Sequence, residues 1–314
     1  MRNAVFLIYL YYNLANKTFW EMYTTKQKFL YKTSKLVNFL LPQTRTWDKV
    51  YAFILFLIRH RRTPTKKMIF NDVLYRMKTS IEILDPLRVL TTDKEYLKLY
   101  VRAVVGDQHN VPTLGIIRNK TEVKDYRFPI NCCMKPTHAC HAVSFRTNNG
   151  YVDIKLLEGW FSLNSYKTDR EANYKFLTPK IIIEPLVFQS PDIKDYNGVI
   201  DYRIFCFNGV PKLILADIDR IGYNKRKCFD PQWNEVSFSI KVPQSDIEIK
   251  KPKNLSEMLV VAANLSKPFS FVRIDLYSDG SRVLVGEITH CAGNASSIFV
   301  PRESEYEASR LIFN

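Results

Sequence analysis

The sequence predicts an α+β protein, helical at its start and built on antiparallel sheets in its remainder. Three observations carry that expectation. Residues 1–60 contain no glycine and a single proline, Pro42, with aromatic and aliphatic residues at mixed spacing, as expected of helix. From about residue 128, short β-branched and aromatic runs alternate with turn residues, the texture of strands. Asn208-Gly209 separates two such runs, and that dipeptide is the strongest short-range hairpin signal. At 314 residues the chain suits about two lobes.

Taken in order, the first elements are two apolar runs, 4–14 and 50–58. Each is shorter than the roughly 20 residues a spanning helix needs. No small-residue cleavage site follows the first cleanly, so a signal peptide is not expected. The second ends in Arg59, His60, Arg61 and Arg62. It reads as a core-facing helix with a basic end, or as an interfacial helix lying on anionic lipid. Thr63-Pro64-Thr65 breaks the pattern, and 71–106 reads as further helix with Asp72, Thr92 and Asp93 as caps. A short strand follows a loop at 111–117. Further strands are expected at 130–135, 143–146, 180–187, 201–207, 211–219, 271–277 and 283–289, with a helix at 255–265 and a second hairpin turn at Asp279-Gly280. No repeat or low-complexity segment is present.

The net charge is +15, and residues 1–70 hold 13 Lys/Arg against 2 Asp/Glu. The basic character therefore belongs mainly to the lead segment. Such a patch draws nucleic acid, anionic lipid or acidic glycan. Six cysteines form no disulfide framework, which points to a reducing, cytosolic compartment. Only 10 glycines are present, with no G-x-x-x-x-G-K-[ST] and no G-x-G-x-x-G, which excludes the usual glycine-rich phosphate loops.

The last hairpin brings Asp275 and Glu287 near each other, and Arg273 shares a strand face with Asp275. Neighbouring carboxylates suit Mg²⁺ shared with substrate phosphates, and an arginine beside them stabilises phosphoryl charge. The plainer reading is the polar outer face of a hairpin. Lys135 closes an apolar strand before a loop, where it acts as a point charge for phosphate or simply as a strand-end cation. Cys132, Cys133, His138, Cys140 and His141 lie close in sequence, but their spacing fits a structural zinc site poorly. Asp217 and Asp219 match the D-x-D of metal-dependent nucleotide-sugar glycosyltransferases, and Asp219-Arg220 reads equally as an ion pair.

These pieces come in a recognisable order: Phe70-Asn71-Asp72, Thr92-Asp93-Lys94, Tyr100-Val101-Arg102, Val105-Gly106, Val111-Pro112, Met134-Lys135-Pro136-Thr137-His138, Ile181–Glu184, Asp201–Phe207 with Asn208-Gly209, Ile218-Asp219-Arg220, Phe229-Asp230, Trp233-Asn234, Val272-Arg273-Ile274-Asp275 and Gly286-Glu287-Ile288-Thr289. In that order, over roughly residues 60–305, the chain resembles the TupA-like branch of the ATP-grasp superfamily. The resemblance implies an ATP-grasp fold, with two α+β lobes sandwiching the nucleotide. It divides the chain into a basic lead at 1–70, an N-terminal subdomain at 71–127, a small lobe at 128–200 and a catalytic lobe at 201–314.

The resemblance also assigns roles. Lys135 and His138 would contact ATP phosphates, and Glu184 would sit at the hinge strand bracketing adenine and ribose. Asp275, Glu287 and Asn294 would hold Mg²⁺. Arg273, Arg203 and Arg220 would face the transferring phosphate or a carboxylate. The implied reaction is carboxylate–amine ligation through an acyl phosphate. It would join a sugar acid of a cell-surface polysaccharide (a capsule or O-antigen glycan, or its precursor) to an amino acid or amine. The implied partners are an acidic glycan acceptor and an amine donor; nucleic acid is not expected. The charge asymmetry, rather than the resemblance, adds the expectation of an anionic membrane surface met by residues 1–62, at the inner face of the membrane. A nucleotide-sugar glycosyltransferase using Asp217 and Asp219, and a non-catalytic basic module binding glycan or nucleic acid, are the alternatives. The chain departs from the family pattern at the loop His138-Ala139-Cys140-His141, where small glycine-rich residues are usual. It departs again at Thr289, where the superfamily often has a second metal ligand, and at His290, where an aromatic is more frequent.

Overall fold

The computed structural model describes residues 25–140, 142–186, 200–218, 225–278 and 280–314, with side chains from residue 32 onward. The elements, in chain order, begin with helices α1 (Thr25–Leu40), α2 (Arg45–His60), α3 (Phe70–Thr79), α4 (Pro86–Thr92) and α5 (Lys94–Val104). Strands β1 (Gly115–Ile117), β2 (Cys132–Pro136) and β3 (Ser144–Arg146) follow, then helices α6 (Ile154–Trp160) and α7 (Ser165–Asp169), then β4 (Ile181–Glu184). The second half holds β5 (Asp201–Phe207), β6 (Val210–Ile218), β7 (Lys225–Phe229), β8 (Ser239–Ile240), α8 (Leu255–Ser266), β9 (Phe271–Ser278), β10 (Val283–Thr289), β11 (Phe299–Val300) and α9 (Glu305–Phe313).

Strand ends agree with the sequence reading to within a residue or two for β2, β3 and β6, and coincide for β5 and β10. Asn208 and Gly209 both take positive φ, 47° and 77°, as a tight hairpin turn demands. Asp279 lies outside the described residues, and Gly280 takes φ 83°. Asp93 caps α5, its Oδ1 accepting from the Glu95 amide at 2.8 Å. Asp72 does not cap a helix as expected. It is buried inside α3 and takes the Arg62 guanidinium at 2.5 Å, since Thr65 and Arg62 fold back onto it. Strands β7, β8 and β11 were not anticipated.

The larger sheet is antiparallel, ordered β10-β9-β5-β6-β7. Strand side chains alternate between faces. One face, with Tyr202, Ile204, Ile214, Ala216, Ile274 and Leu276, packs under α8 and against Leu97 and Val101 of α5. The other face is divided. Its outer half, Phe205, Leu213, Leu215 and Phe271, joins Phe70 and Leu74 of α3 and Ile312 of α9 in a second core. Its inner half carries Asp201, Arg203, Asp217, Arg226, Arg273 and Asp275. The smaller sheet, ordered β1-β4-β2-β3, buries Cys132, Met134, Ile181 and Ile183 on Leu157 and Trp160 of α6. Its opposite face turns Cys133, Lys135, Ile182 and Glu184 toward the larger sheet. The sheet draws β1 from before residue 128, and α3 and α5 pack on the larger sheet. The helical stretch at 71–104 is therefore part of the large lobe's cores.

The described part of the basic lead segment is docked. Helix α2 buries Tyr51, Ala52, Leu55 and Phe56. Arg170, 0% exposed, donates to the carbonyls of Asn38, Leu41 and Pro42 at 2.6 to 2.8 Å and to Asp48 at 3.0 Å. Arg59 and His60 at the basic end of α2 contact Arg302 and the Ala295 carbonyl. This favours the core-facing reading of residues 50–58. Among the described residues no helix is long and apolar enough to cross a membrane.

Candidate functional site

A one-residue irregularity sets the geometry of the charged half-sheet. Val283 and Val285 of β10 face the apolar core, so strict alternation would send Glu287 there too. The β9–β10 register shifts between Val285 and Glu287. That bulge, at Gly286, reverses the parity and sets Glu287 beside Asp275 and Thr289 beside Arg273. A Cβ on Gly286 would lie 2.6 Å from the Tyr277 ring, so any larger residue there displaces the ring or the bulge.

Around the bulge the charges interlock. Arg273 grips Asp275 through two bonds of 2.6 Å and reaches Thr289 Oγ1 at 2.9 Å; the Thr289 hydroxyl in turn donates to Glu287 at 3.0 Å. Arg203 contacts Asp217 at 2.6 Å, Asp201 at 3.1 Å and Asp275 at 3.6 Å. Arg226 pairs with the far side of Asp217 and donates to the Ile240 carbonyl. Buried charges of opposite sign thus alternate across four strands, as buried charge requires. Burial pushes the Asp275 carboxyl up to about 6 even against Arg273.

The small lobe supplies the facing wall. Lys135 Nζ lies 2.9 Å from Glu184, and Lys98 of α5 meets the other Glu184 oxygen at 2.6 Å. Burial pushes Glu184 upward, yet the two lysines prevail and hold it below the ordinary carboxylate range. Burial likewise opposes charge on Lys135, but Glu184 and Tyr277 keep that ammonium well above its usual value. Lys135 also stands 6.0 Å from the centre of the Tyr277 ring, so the two sheets approach each other here. The loop after β2 is tethered from α5: Thr137 donates to Asp93 at 3.1 Å, and Lys94 Nζ donates to the Ala139 carbonyl at 2.9 Å.

A family model for the TupA-like ATP-grasp proteins matches residues 73–311. The chain belongs to the TupA-like ATP-grasp family. The two facing antiparallel sheets, with helices outside them, are the α+β lobes of the ATP-grasp fold. No curated protein matches the chain by sequence. Among solved structures it is similar to D-alanine–D-alanine ligase from Bacillus anthracis complexed with ATP, at 15% identity and TM-score 0.38 over 71% of this chain and 62% of that one. The Helicobacter pylori D-alanine–D-alanine ligase gives 14% identity and TM-score 0.38 over 72% and 59%. The ATP-grasp ligase PsnB with its minimal precursor gives 14% and 0.35 over 66% and 54%. The chain spans less than two thirds of the length of each. Membership of the family is carried by the sequence match over residues 73–311.

Within this TupA-like ATP-grasp chain, the expected site residues fall as follows. Arg203, Arg273, Asp275 and Glu287 converge on the charged half-sheet, and Lys135 and Glu184 form the facing wall. Arg220, Asp219 and His141 lie outside the described residues. Both His138 ring nitrogens are engaged, with the Trp160 carbonyl at 3.2 Å and the Lys180 amide at 3.3 Å, so the ring frames the loop. The Asn294 carboxamide is held by Lys78 and by the Asp169 carbonyl at 2.9 Å. Asp217, the D-x-D residue of the glycosyltransferase alternative, is 0% exposed and clasped between Arg203 and Arg226. His290 packs beside Arg88 and Thr91, and burial holds it well below its usual value. Lys98, Asp201, Arg226, Glu171 and Lys241 were not anticipated. Lys98 sits at a helix position whose charge pattern reads as solvated, Asp201 opens the Asp201–Phe207 segment without a role assigned to it, and Arg226, Glu171 and Lys241 belong to no motif.

The residues fit the nucleotide and cation that the family implies. Two ammonium groups converge on one carboxylate, leaving surplus positive charge that suits phosphates. Among the described residues no group of three or more His, Cys, Asp and Glu forms a metal cage. The cross-strand pair Asp275 and Glu287 is the donor set that Mg²⁺ takes when phosphates complete its shell.

Proposed function

We propose that the chain is an ATP- and Mg²⁺-dependent carboxylate–amine ligase. It forms an amide between a sugar acid of a cell-surface polysaccharide, or its precursor, and an amino acid or amine. The single observation that supports this most is the face-to-face arrangement of Lys98 and Lys135 with the Asp275–Glu287 pair flanked by Arg203 and Arg273. A carboxylate is a poor electrophile. In the first step its oxygen attacks the γ-phosphorus of ATP, the bond to ADP breaks, and an acyl phosphate forms. In the second the amine nitrogen attacks the acyl carbon, the bond to phosphate breaks, and a proton is released. Lys98 and Lys135 hold the phosphates, and Arg203 and Arg273 meet the charge spread over the moving phosphoryl group. Mg²⁺ held by Asp275 and Glu287 would neutralise phosphate charge.

The polysaccharide assignment follows from the family resemblance and the basic lead segment. Contact with an anionic membrane through residues 1–62 belongs to the same proposal. It is supported by Leu36, Phe39 and Leu40 of α1, which stand exposed at 58%, 86% and 67% beside the exposed Lys32. The test is ADP release from ATP across sugar acids, such as glucuronate, combined with amino acids. Release that requires both reactants, with an amide product of the summed mass less water, is the expected result. Release that ignores the sugar acid, or sugar transfer from a nucleotide-sugar, would count against the proposal.

A further inference from the structure

A concave surface on the small lobe takes no part in the chemistry above. It is a cavity of about 530 Å³ between the segment leading into β2 and the turn after β3, lined chiefly by Tyr126, Arg127, Phe128, Arg146, Asn149 and Tyr151. That volume falls in the range of small-molecule sites, ~300–1,000 Å³. Arg146 pairs with Cys132 across β3 and β2, so it shares the α6 side of the small sheet and not the side of Cys133 and Lys135. The cavity therefore lies on the side turned away from the proposed nucleotide wall. Among the described residues two guanidinium groups and no carboxylate line it.

The lining is built in advance. Arg146 Nε donates to the Gly150 carbonyl at 2.9 Å, and Nη1 donates to the carbonyls of Phe128 and Pro129, the latter at 3.3 Å. Those bonds fix the plane of the guanidinium and leave its Nη2 edge unbonded. Asn148 and Asn149 take φ 50° and 57°, a left-handed backbone that asparagine tolerates. The Gly150 amide closes this turn on the Thr147 carbonyl at 2.9 Å, and the Asn149 amide ties it to the Ile130 carbonyl at 3.0 Å. On the other lining segment the Tyr126 hydroxyl is seated against Gly115 of β1, where a Cβ would lie 2.0 Å from it. The Tyr126 and Phe128 rings pack edge to face with centres 4.9 Å apart. Arg127 is exposed and, among the described residues, makes no side-chain hydrogen bond or ion pair. Tyr151 is 76% exposed.

We propose that this cavity binds a uronate unit of an acidic polysaccharide and so anchors the acceptor at a distance from the ATP site. The choice of occupant rests on the ligase reading. The uronate carboxylate is taken by Arg127 and the free Nη2 edge of Arg146. The apolar face of the sugar ring lies on Tyr126 and Tyr151, whose hydroxyls remain open to its polar groups. Two cations without a carboxylate call for an anion, and the exposed rings call for an apolar face; a sugar acid carries both in one unit. Inorganic phosphate would leave the rings uncovered. A run of nucleobases stacks on aromatic faces, whereas Tyr126 and Phe128 stand at 65° to each other and offer no shared platform.

The experiment is calorimetry of the full chain at about 0.15 M salt, where loose attraction to its positive charge is screened. The probes are tetrasaccharides containing glucuronate or galacturonate, their carboxyl-reduced counterparts, and a single-stranded oligothymidylate. Wild type is expected to bind at least one uronate tetrasaccharide, and to bind the reduced forms and the oligonucleotide at least about tenfold more weakly. Arg127→Ala and Tyr151→Ala change exposed side chains, and each should weaken uronate binding about tenfold. Their affinity for Mg²⁺-ATP should stay within about twofold of wild type, which also shows that they are folded. The subsite is overturned by variants that bind the uronate as wild type does, by reduced forms that bind equally well, or by an oligonucleotide that binds more tightly. It is also overturned if a wild type that binds ATP binds neither uronate, and that result leaves the ligase reading standing. A wild type that binds a uronate but no ATP keeps the subsite and removes the ligase reading, and a folded wild type that binds neither removes both.

Discussion

Lys98 is the residue whose role is least visible locally and clearest in three dimensions. It lies on α5, yet it shares Glu184 with Lys135, which is on a strand of the small lobe. If both lysines turn to ATP phosphates, Lys98→Ala weakens nucleotide binding roughly ten- to hundredfold, and calorimetry against Mg²⁺-ATP checks it. His290 acts on stability. Its Nδ1 faces the Arg88 guanidinium at 3.1 Å and its Nε2 meets Thr91 at 2.8 Å, so the neutral ring accepts from arginine and donates to threonine. Burial, then Arg88, hold it well below its usual value. The unfolded chain therefore binds the proton more readily. His290's contribution is fully present above about pH 6.5 and is lost as pH falls through that value, at up to about 1.4 kcal/mol per pH unit. Urea unfolding of the ligand-free protein at about pH 5 and about pH 7.5 should show a smaller pH effect in His290→Gln than in wild type.

At the scale of elements, the β10 bulge governs whether the site exists. Gly286→Ala drives a methyl into the Tyr277 ring, 2.6 Å away. Either Tyr277 then moves from beside Lys135, or the bulge that sets Glu287 beside Asp275 shifts. The expected result is a folded protein, by circular dichroism, whose Mg²⁺-ATP affinity falls at least about tenfold. Unchanged affinity would show that the bulge does not position Glu287. The same element marks the limit of what the sequence made legible. Period-two alternation and the turn dipeptides located β5, β9 and β10, and from them the Arg273, Asp275 and Glu287 group. The parity reversal was not legible, because one extra residue in a strand leaves no composition signal. Lys98, Glu171 and Lys241 were not legible either, because their neighbours come from elements far away in sequence. Two-residue strands such as β8 and β11 are too short for any period to register.

For the whole molecule, the described part of the basic lead segment joins the fold and leaves Leu36, Phe39 and Leu40 of α1 exposed. Arg170 draws three carbonyls and one carboxylate from α1, α2 and the turn between them. Deleting residues 1–60 would strand that buried guanidinium, at a cost of about 3–5 kcal/mol, so truncation is a poor test of membrane contact. The triple substitution Leu36→Ser, Phe39→Ser, Leu40→Ser removes the exposed edge and leaves Arg170's partners in place. Sedimentation with phosphatidylglycerol vesicles should show wild type bound and the triple variant largely released. Equal binding by both would remove α1 as the contact.

The central claim is a nucleotide site between two sheets, and calorimetry of ATP binding with and without Mg²⁺ tests it most directly. The account predicts Mg²⁺-dependent binding by wild type, lost in Lys135→Ala and stripped of its Mg²⁺ dependence in Glu287→Gln. A folded wild type that binds no ATP, or variants that bind as wild type does, would contradict it.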